Sequence, residues 1–61
     1  MNKAETRELE IIRAYLAHGM HDTAARALSA LIRSTMRRST AHALYRFAVE
    51  NNLQANPDFI V

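Results

Sequence analysis

The sequence predicts an all-α fold, a small single domain of three helices built on an antiparallel helical hairpin. One Gly and one Pro occur in 61 residues, whereas Ala, Leu, Arg and Glu, which favour helix, are abundant. Apolar residues also recur at helical spacing in three segments separated by turn and capping residues. We therefore expect one domain over 1–61, with helices at about 3–18, 22–36 and 40–52 and an apolar C-terminal tail at 57–61.

The first helix has recognisable signals at both ends. Asn2 can cap its start, with Glu5 three residues later as the partner in a capping box. Gly19 can take the left-handed conformation that ends a helix, which places the last helical residue at about His18. One broad apolar arc is then formed by Leu9, Ile11, Ile12, Tyr15 and Leu16.

The second helix is expected to begin after Asp22, which is a good N-cap, and to reach about residues 35–36. Its buried arc is Ala24, Ala25, Leu28, Leu31 and Ile32. On the opposite side, Arg26, Arg33 and Arg37 follow one another at spacings of seven and four. If the helix extends to Arg37, these three side chains form one stripe. The small residues beside it would let a partner approach closely; they are Ser29, Ala30 and Ser34.

The third helix is expected to be capped by Ser39 or Thr40 and to end at about residues 51–53. Its apolar stripe is Ala41, Leu44, Phe47 and Ala48, broadened by Tyr45 and Val49. This arc is wider than one neighbouring helix requires. The excess apolar surface must therefore meet the tail, another helix or another subunit.

The C-terminal tail combines a helix-breaking proline with three large apolar residues. Pro57 disfavours helix at Asn56. The chain then closes with Phe59, Ile60 and Val61. We expect Phe59 and Ile60 to dock, either on the third helix or on a partner chain.

Five residues in the first two helical segments resemble the pattern of a tetratricopeptide-type hairpin. They are Tyr15, Gly19, Ala24, Leu28 and Leu31. The chain departs from that pattern at Glu8, Ile12 and Met36, and it contains one such unit. The resemblance covers about half of the chain and implies an antiparallel hairpin. Residues 10–20 also resemble the opening helix and turn of a LuxR-type helix-turn-helix, but Ser29 stands where that family needs a core Leu.

Composition excludes several classes of protein. No Cys is present, which rules out a disulfide, Cys-ligated zinc and a thiol nucleophile. No apolar run approaches the roughly 18 residues of a membrane span, and residues 1–10 lack the apolar core of a signal peptide. We therefore expect a cytoplasmic protein without a membrane partner. The initial Met and the compact pattern suggest a complete small reading frame.

The distribution of charge is the main functional signal. Between Asp22 and Glu50 there is no acidic residue, yet five arginines occur there: Arg26, Arg33, Arg37, Arg38 and Arg46. The formal net charge of +2 hides this basic middle. A basic surface attracts phosphates or acidic partners over a long range.

The charge distribution leads to a prediction of a small non-enzymatic regulatory protein that binds nucleic acid through an arginine-rich face. The predicted phosphate contacts are Arg26, Arg33, Arg37, Arg38, Ser39 and Thr40, with Arg46 as a flanking contact. A purely structural alternative is equally open. In that interpretation the arginines complement a helix C-terminus and the serine and threonine cap the next helix.

Metal binding and catalysis are both disfavoured by the sequence. His18, His21 and His42 are separated by a helix break and have no cysteine partner, so no metal or other cofactor is expected. Glu5, Glu8 and Glu10 could form a catalytic carboxylate set, but carboxylates near a helix N-terminus are ordinary partners for its dipole. A short helical chain also offers little room for a concave catalytic site.

The competing hypothesis is a protein–protein interaction module, an adaptor or inhibitor that docks an acidic or apolar protein. A homodimer is also expected, because the apolar surface exceeds what one small core can absorb. The predicted interface is Leu44, Tyr45, Phe47, Val49, Phe59 and Ile60. Tyr45 and Phe47 could alternatively stack on bases beside the arginines, although Phe47 lies on the core stripe.

Overall fold

The computed structural model describes residues 1–61 and contains three helices and no strand. They are α1 (Lys3–Ala17), α2 (His21–Ser34) and α3 (Arg38–Glu50). The predicted all-α fold is confirmed. α2 lies in the middle and packs against both other helices, whereas the backbones of α1 and α3 do not approach each other. None of the helices combines the length and the apolar character that a membrane span requires.

The start of α1 is the predicted capping box. The backbone N–H of Glu5 donates to the side-chain oxygen of Asn2 at 2.8 Å, and the N–H of Asn2 donates back to the Glu5 carboxylate at 2.9 Å. Two N–H groups that a helix start leaves unpaired are thereby satisfied. This arrangement also fixes one carboxylate oxygen of Glu5 in a defined position.

The turn between α1 and α2 is a Schellman motif that leads directly into the second helix. Gly19 has φ +73°, as predicted, and the N–H of Met20 donates to the Tyr15 carbonyl at 2.9 Å. Met20 is itself the N-cap of α2 and makes no side-chain cap bond. The prediction that Asp22 is the N-cap is therefore wrong. Asp22 lies in the first turn, where its charge suits the helix dipole.

α2 ends at Ser34, earlier than predicted. Thr35 has extended backbone (ψ 139°), and its hydroxyl donates to the Glu5 carboxylate at 2.8 Å. A contact with a residue 30 positions away thus accompanies the end of the helix. The sequence near Thr35 contains no sign of it.

α3 begins at Arg38, and Arg37 is its N-cap without a side-chain cap bond. The prediction that Ser39 or Thr40 caps this helix is wrong, since both lie within its first turn. Thr40 is 4% exposed and faces the interior. The connection between α2 and α3 consequently comprises residues 35–37.

The end of α3 repeats the Schellman geometry with Asn52 as the left-handed residue. Asn52 has φ +58°, and the N–H of Leu53 donates to the Ala48 carbonyl at 2.7 Å. Asparagine tolerates this conformation better than other non-glycine residues. The motif turns the chain back and places Leu53 in the core, where it is almost fully buried.

The core is small and α2 contributes half of it. Its members are Ile12, Ala24, Ala25, Leu28, Leu31, Leu44, Ala48 and Leu53. The predicted apolar arc of α1 is only partly buried, because Ile11 lies exposed beside the buried Ile12. α1 and α3 are linked by side chains: the Arg13 guanidinium lies 5.3 Å from the centre of the Phe47 ring, a cation–π contact.

Candidate nucleic-acid interface

The C-terminal tail, residues 54–61, lies along the outer side of α2. The Asn56 amide donates to the Asp22 carboxylate at 2.8 Å, and Asp58 pairs with Arg26 at 2.9 Å. Further along, the N–H of Ile60 donates to the Ser29 hydroxyl at 2.9 Å. Tail and helix therefore run in the same direction. The small residues expected to admit a partner in fact admit the chain's own tail at Ser29.

The tail is also held against α3. The rings of Phe59 and Tyr45 lie edge to face, with centres 5.8 Å apart and planes at 63°. Phe59 is partly buried against the core, as predicted for docking on the third helix. Ile60 differs from that prediction, because only its backbone is bonded and its side chain is 65% exposed.

Both arginines of α2 bind the tail. Arg26 pairs with the Asp58 carboxylate and also lies 3.5 Å from the Thr23 hydroxyl. The Arg33 guanidinium donates to the Ile60 carbonyl. The carbonyl has no formal charge, so Arg33 keeps its positive charge without a carboxylate partner. The Arg26 side chain remains 60% exposed.

Arg37 belongs to a third internal contact, between the start of α1 and the α2–α3 connection. Its guanidinium lies 2.6 Å from the buried Glu5 carboxylate. Bonds from the Asn2 N–H and the Thr35 hydroxyl, together with this guanidinium, lower the pKa of Glu5 to about 2. Glu5 therefore joins the start of α1 to the α2–α3 connection.

The predicted arginine stripe does not form on one helix. α2 ends three residues before Arg37, so only Arg26 and Arg33 share its outer side. Each of these three arginines is bonded within the chain. Some of their N–H donors are thus occupied by groups of the protein itself.

The outward side of α3 has a different character. Arg38 and Arg46 are exposed and form neither an ion pair nor a hydrogen bond within the chain. His42, Tyr45 and Val49 are exposed as well. All five positions fall within an arc of about 100° on the helix. We call this surface the α3 face; it consists of Arg38, His42, Tyr45, Arg46 and Val49.

Other residues predicted for the two surfaces divide by burial. Ser39 is exposed beside Arg38, whereas Thr40 faces the interior and is poorly placed to reach a phosphate. Leu44, predicted for a partner interface, is completely buried inside this chain. Phe47 is partly buried under Arg13. The exposed apolar side chains of that set are Tyr45, Val49 and Ile60.

No group of three potential metal ligands comes together in the structure. The concave regions are surface depressions lined by four to seven residues. Glu5, the carboxylate with a shifted pKa, is held by three intramolecular donors rather than directed into a cavity.

Sequence reasoning missed two contributors to the candidate interface. Asp58, which neutralises Arg26, could have been noticed because it is the one acidic residue after Glu50. His42 lies one turn before Arg46 on the α3 face, and plotting α3 on a helical wheel would have grouped the two. No local signal indicated that Glu5 would meet Arg37.

The comparisons with known proteins give no assignment. No family model matches the chain, and no curated protein or solved structure matches it. The likenesses to a tetratricopeptide-type hairpin and to a LuxR-type helix-turn-helix therefore gain no support beyond the hairpin itself.

Proposed function

We propose that this chain is a small, non-enzymatic regulatory protein of the cytoplasm that binds nucleic acid through its arginines. The unbalanced charge of its middle section carries this proposal. Of the five arginines between Asp22 and Glu50, only two meet a carboxylate, from Glu5 and Asp58. Those without a carboxylate partner are Arg33, Arg38 and Arg46.

The paired arginines also retain capacity for a ligand. The Arg26 and Arg37 side chains are 60% and 52% exposed, and a guanidinium has five N–H donors. A phosphate could therefore bind the donors that the carboxylates leave free. Arginine suits this contact because its planar group can donate two parallel bonds to a phosphate.

Binding of this kind would be largely electrostatic. Arginine contacts with phosphates release counterions from the nucleic acid, so the affinity falls steeply as salt rises. Such contacts position a protein on a nucleic acid but carry no sequence information. We therefore expect weak discrimination among sequences.

The test is fluorescence anisotropy of labelled DNA and RNA, titrated at low salt and at roughly physiological salt. The double variant R38Q/R46Q should weaken binding at least about tenfold at low salt. The slope of log affinity against log salt should fall by the amount expected for about two lost phosphate contacts. The control K3Q/R7Q removes the same charge from exposed positions of α1 and should have a much smaller effect.

Two results would contradict the proposal. One is the absence of binding to either nucleic acid at low salt. The other is an equal loss of affinity in R38Q/R46Q and K3Q/R7Q, which would indicate a general effect of net charge without an interface.

A second candidate function is a protein-interaction module, with or without self-association. The observation in its favour is exposed apolar surface: Tyr45, Val49 and Ile60 are 45%, 49% and 65% exposed. Light scattering over a range of concentrations tests the homodimer. V49D should dissociate a dimer formed by this surface. If the parent protein is a monomer at all concentrations, self-association is excluded and the partner must be a different protein, acidic or apolar.

A further inference from the structure

Tyr45 is an aromatic ring held in place yet open to solvent. One part of the ring packs against Phe59, with the ring centres 5.8 Å apart, and 45% of the residue remains exposed. Its hydroxyl makes no hydrogen bond within the chain. The Phe59 contact limits the ring's freedom before any ligand arrives, which reduces the entropy lost on binding.

Basic side chains flank this ring on the same side of α3. His42 lies one turn before Tyr45, and Arg46 follows it directly. Arg38 lies two turns before Arg46, about 12 Å along the helix axis. No acidic residue occurs between Arg38 and Val49. Glu50 is the last residue of α3 and forms no ion pair with Arg46, so both arginines of this face lack a carboxylate partner.

We propose that the α3 face binds single-stranded nucleic acid, with one base stacked on Tyr45 and the neighbouring phosphates bound by Arg38 and Arg46. This inference rests on the proposed function and specifies its ligand. In a duplex the faces of the bases are covered by their neighbours, whereas an unpaired base has a free face. An exposed aromatic ring between cations is the arrangement that favours unpaired bases.

The charge of the α3 face favours this ligand over a second copy of the chain. Bringing two such faces together would place arginines close to arginines, and like charges in contact are costly. A single strand supplies both an apolar aromatic surface for Tyr45 and anionic groups for the arginines. The ligand class is therefore the shared chemistry of unpaired DNA and RNA.

The first experiment compares three labelled probes by anisotropy at low salt. They are an unstructured oligothymidine of about 15 nucleotides, the RNA equivalent, and a DNA duplex of the same length. We expect both single strands to bind at least about fivefold more tightly than the duplex. Equal affinity for strand and duplex would overturn the inference and leave phosphate binding intact.

Two substitutions separate stacking from packing. Y45F keeps the aromatic ring and should retain the single-strand affinity. Y45L keeps an apolar side chain against Phe59 but has no ring, and it should lose about fivefold or more of that affinity. I11A, a control that shortens an exposed apolar side chain on α1, should bind like the parent. Matching melting curves for the variants confirm that the fold is retained.

A direct readout uses the chain's own fluorescence. The sequence has two tyrosines and no tryptophan, so in Y15F all of the intrinsic emission comes from Tyr45. Stacking against a base should quench this emission in step with the anisotropy change. An unchanged emission during saturable binding would overturn the inference.

The outcomes also distinguish the inference from the proposed function. Binding that depends on Arg38 and Arg46 but is insensitive to Tyr45 overturns only the stacking inference. No binding of any probe overturns both. Preferential single-strand binding that Y45F retains and Y45L loses supports both.

Discussion

The arginines of this protein occupy two regions that look alike in the sequence and differ in the fold. Around α2 and its connection to α3, Arg26, Arg33 and Arg37 are each bonded to a distant segment of the same chain. On the α3 face, Arg38 and Arg46 have no such partner. The first group stabilises the chain's own structure, while the second is free for a ligand.

The two groups of arginines differ in whether a distant segment of the chain supplies a carboxylate or carbonyl partner. Asp58 reaches Arg26 across 32 positions of sequence, and Glu5 reaches Arg37 across the same separation. Neither helix α2 nor helix α3 supplies these groups itself. A run of arginines without nearby acids is therefore insufficient evidence that all of them are free.

The largest expected effect is a loss of folding stability in acid, when protonation of Glu5 breaks its ion pair with Arg37. The pKa of Glu5 is about 2 in the folded protein and ordinary in the unfolded chain. Its contribution to stability is therefore complete above about pH 4.5 and is lost as the pH falls towards 2. We expect the midpoint of thermal unfolding of the parent to drop over this interval.

E5Q is the matched variant for that measurement. Glutamine can still accept the Asn2 N–H bond of the capping box, so the helix start survives while the charge opposite Arg37 is removed. Circular dichroism melts from pH 7 to pH 2 should show E5Q less stable at neutral pH and less sensitive to acid. Parallel curves for both proteins would mean that Glu5 is not the titrating group.

A smaller loss of stability is expected when the uncharged hydrogen bond between the tail and α2 is removed. The buried Ser29 hydroxyl donates to the Ala25 carbonyl at 2.7 Å and accepts from the Ile60 N–H at 2.9 Å. S29A leaves that N–H unpaired and should lower the free energy of unfolding by about 1 kcal/mol. Urea unfolding measures this difference.

S34A is the control for S29A. The Ser34 hydroxyl donates to the Leu31 carbonyl at 3.0 Å and makes no bond to the tail. Alanine has the higher helix propensity, so S34A should be neutral or slightly stabilising. Equal losses of unfolding free energy in both variants would mean that the effect comes from the helix and not from the hydrogen bond to the tail.

The smallest expected effect is a rise in nucleic-acid affinity when Arg26 loses its carboxylate partner. D58N removes its carboxylate partner and should make Arg26 resemble the arginines of the α3 face. Because an exposed ion pair contributes only about 0.2–1 kcal/mol, nucleic-acid affinity at low salt should rise about two- to threefold. Anisotropy with the same probes measures the change.

Charge alone must be separated from the release of Arg26. E10Q makes the same change of net charge on the exposed side of α1 and should have less effect than D58N. In an R26Q background the additional gain from D58N should disappear. A gain that persists without Arg26 would show that Asp58 acts only through the overall charge.

The parts of the fold that the sequence predicted correctly are those encoded by short-range interactions. The Asn2–Glu5 capping box spans three residues, and the left-handed Gly19 depends on its missing side chain. Three helices followed from helical spacing and from turn residues. The freely exposed Arg38 and Arg46 also lie within the acid-free stretch from which the interface was predicted.

The errors arose where distant contacts override local preferences. Asp22 looked like a cap, but the Schellman turn at Gly19 makes Met20 the N-cap of α2, two residues earlier. α2 stopped before Arg37, and the hydroxyl of its C-cap Thr35 bonds Glu5. Such contacts depend on how the helices pack, and no local pattern near Thr35 or Arg37 contains that information.

The Schellman turn at Asn52 has a consequence for how the chain opens. Leu53 is fixed in the core by this turn, whereas most contacts beyond it lie at the surface. The tail can therefore detach while the helices stay folded, a local opening with a lower free energy than global unfolding. In hydrogen exchange, the amides of Phe59 and Ile60 should lose protection before those of the α2 interior.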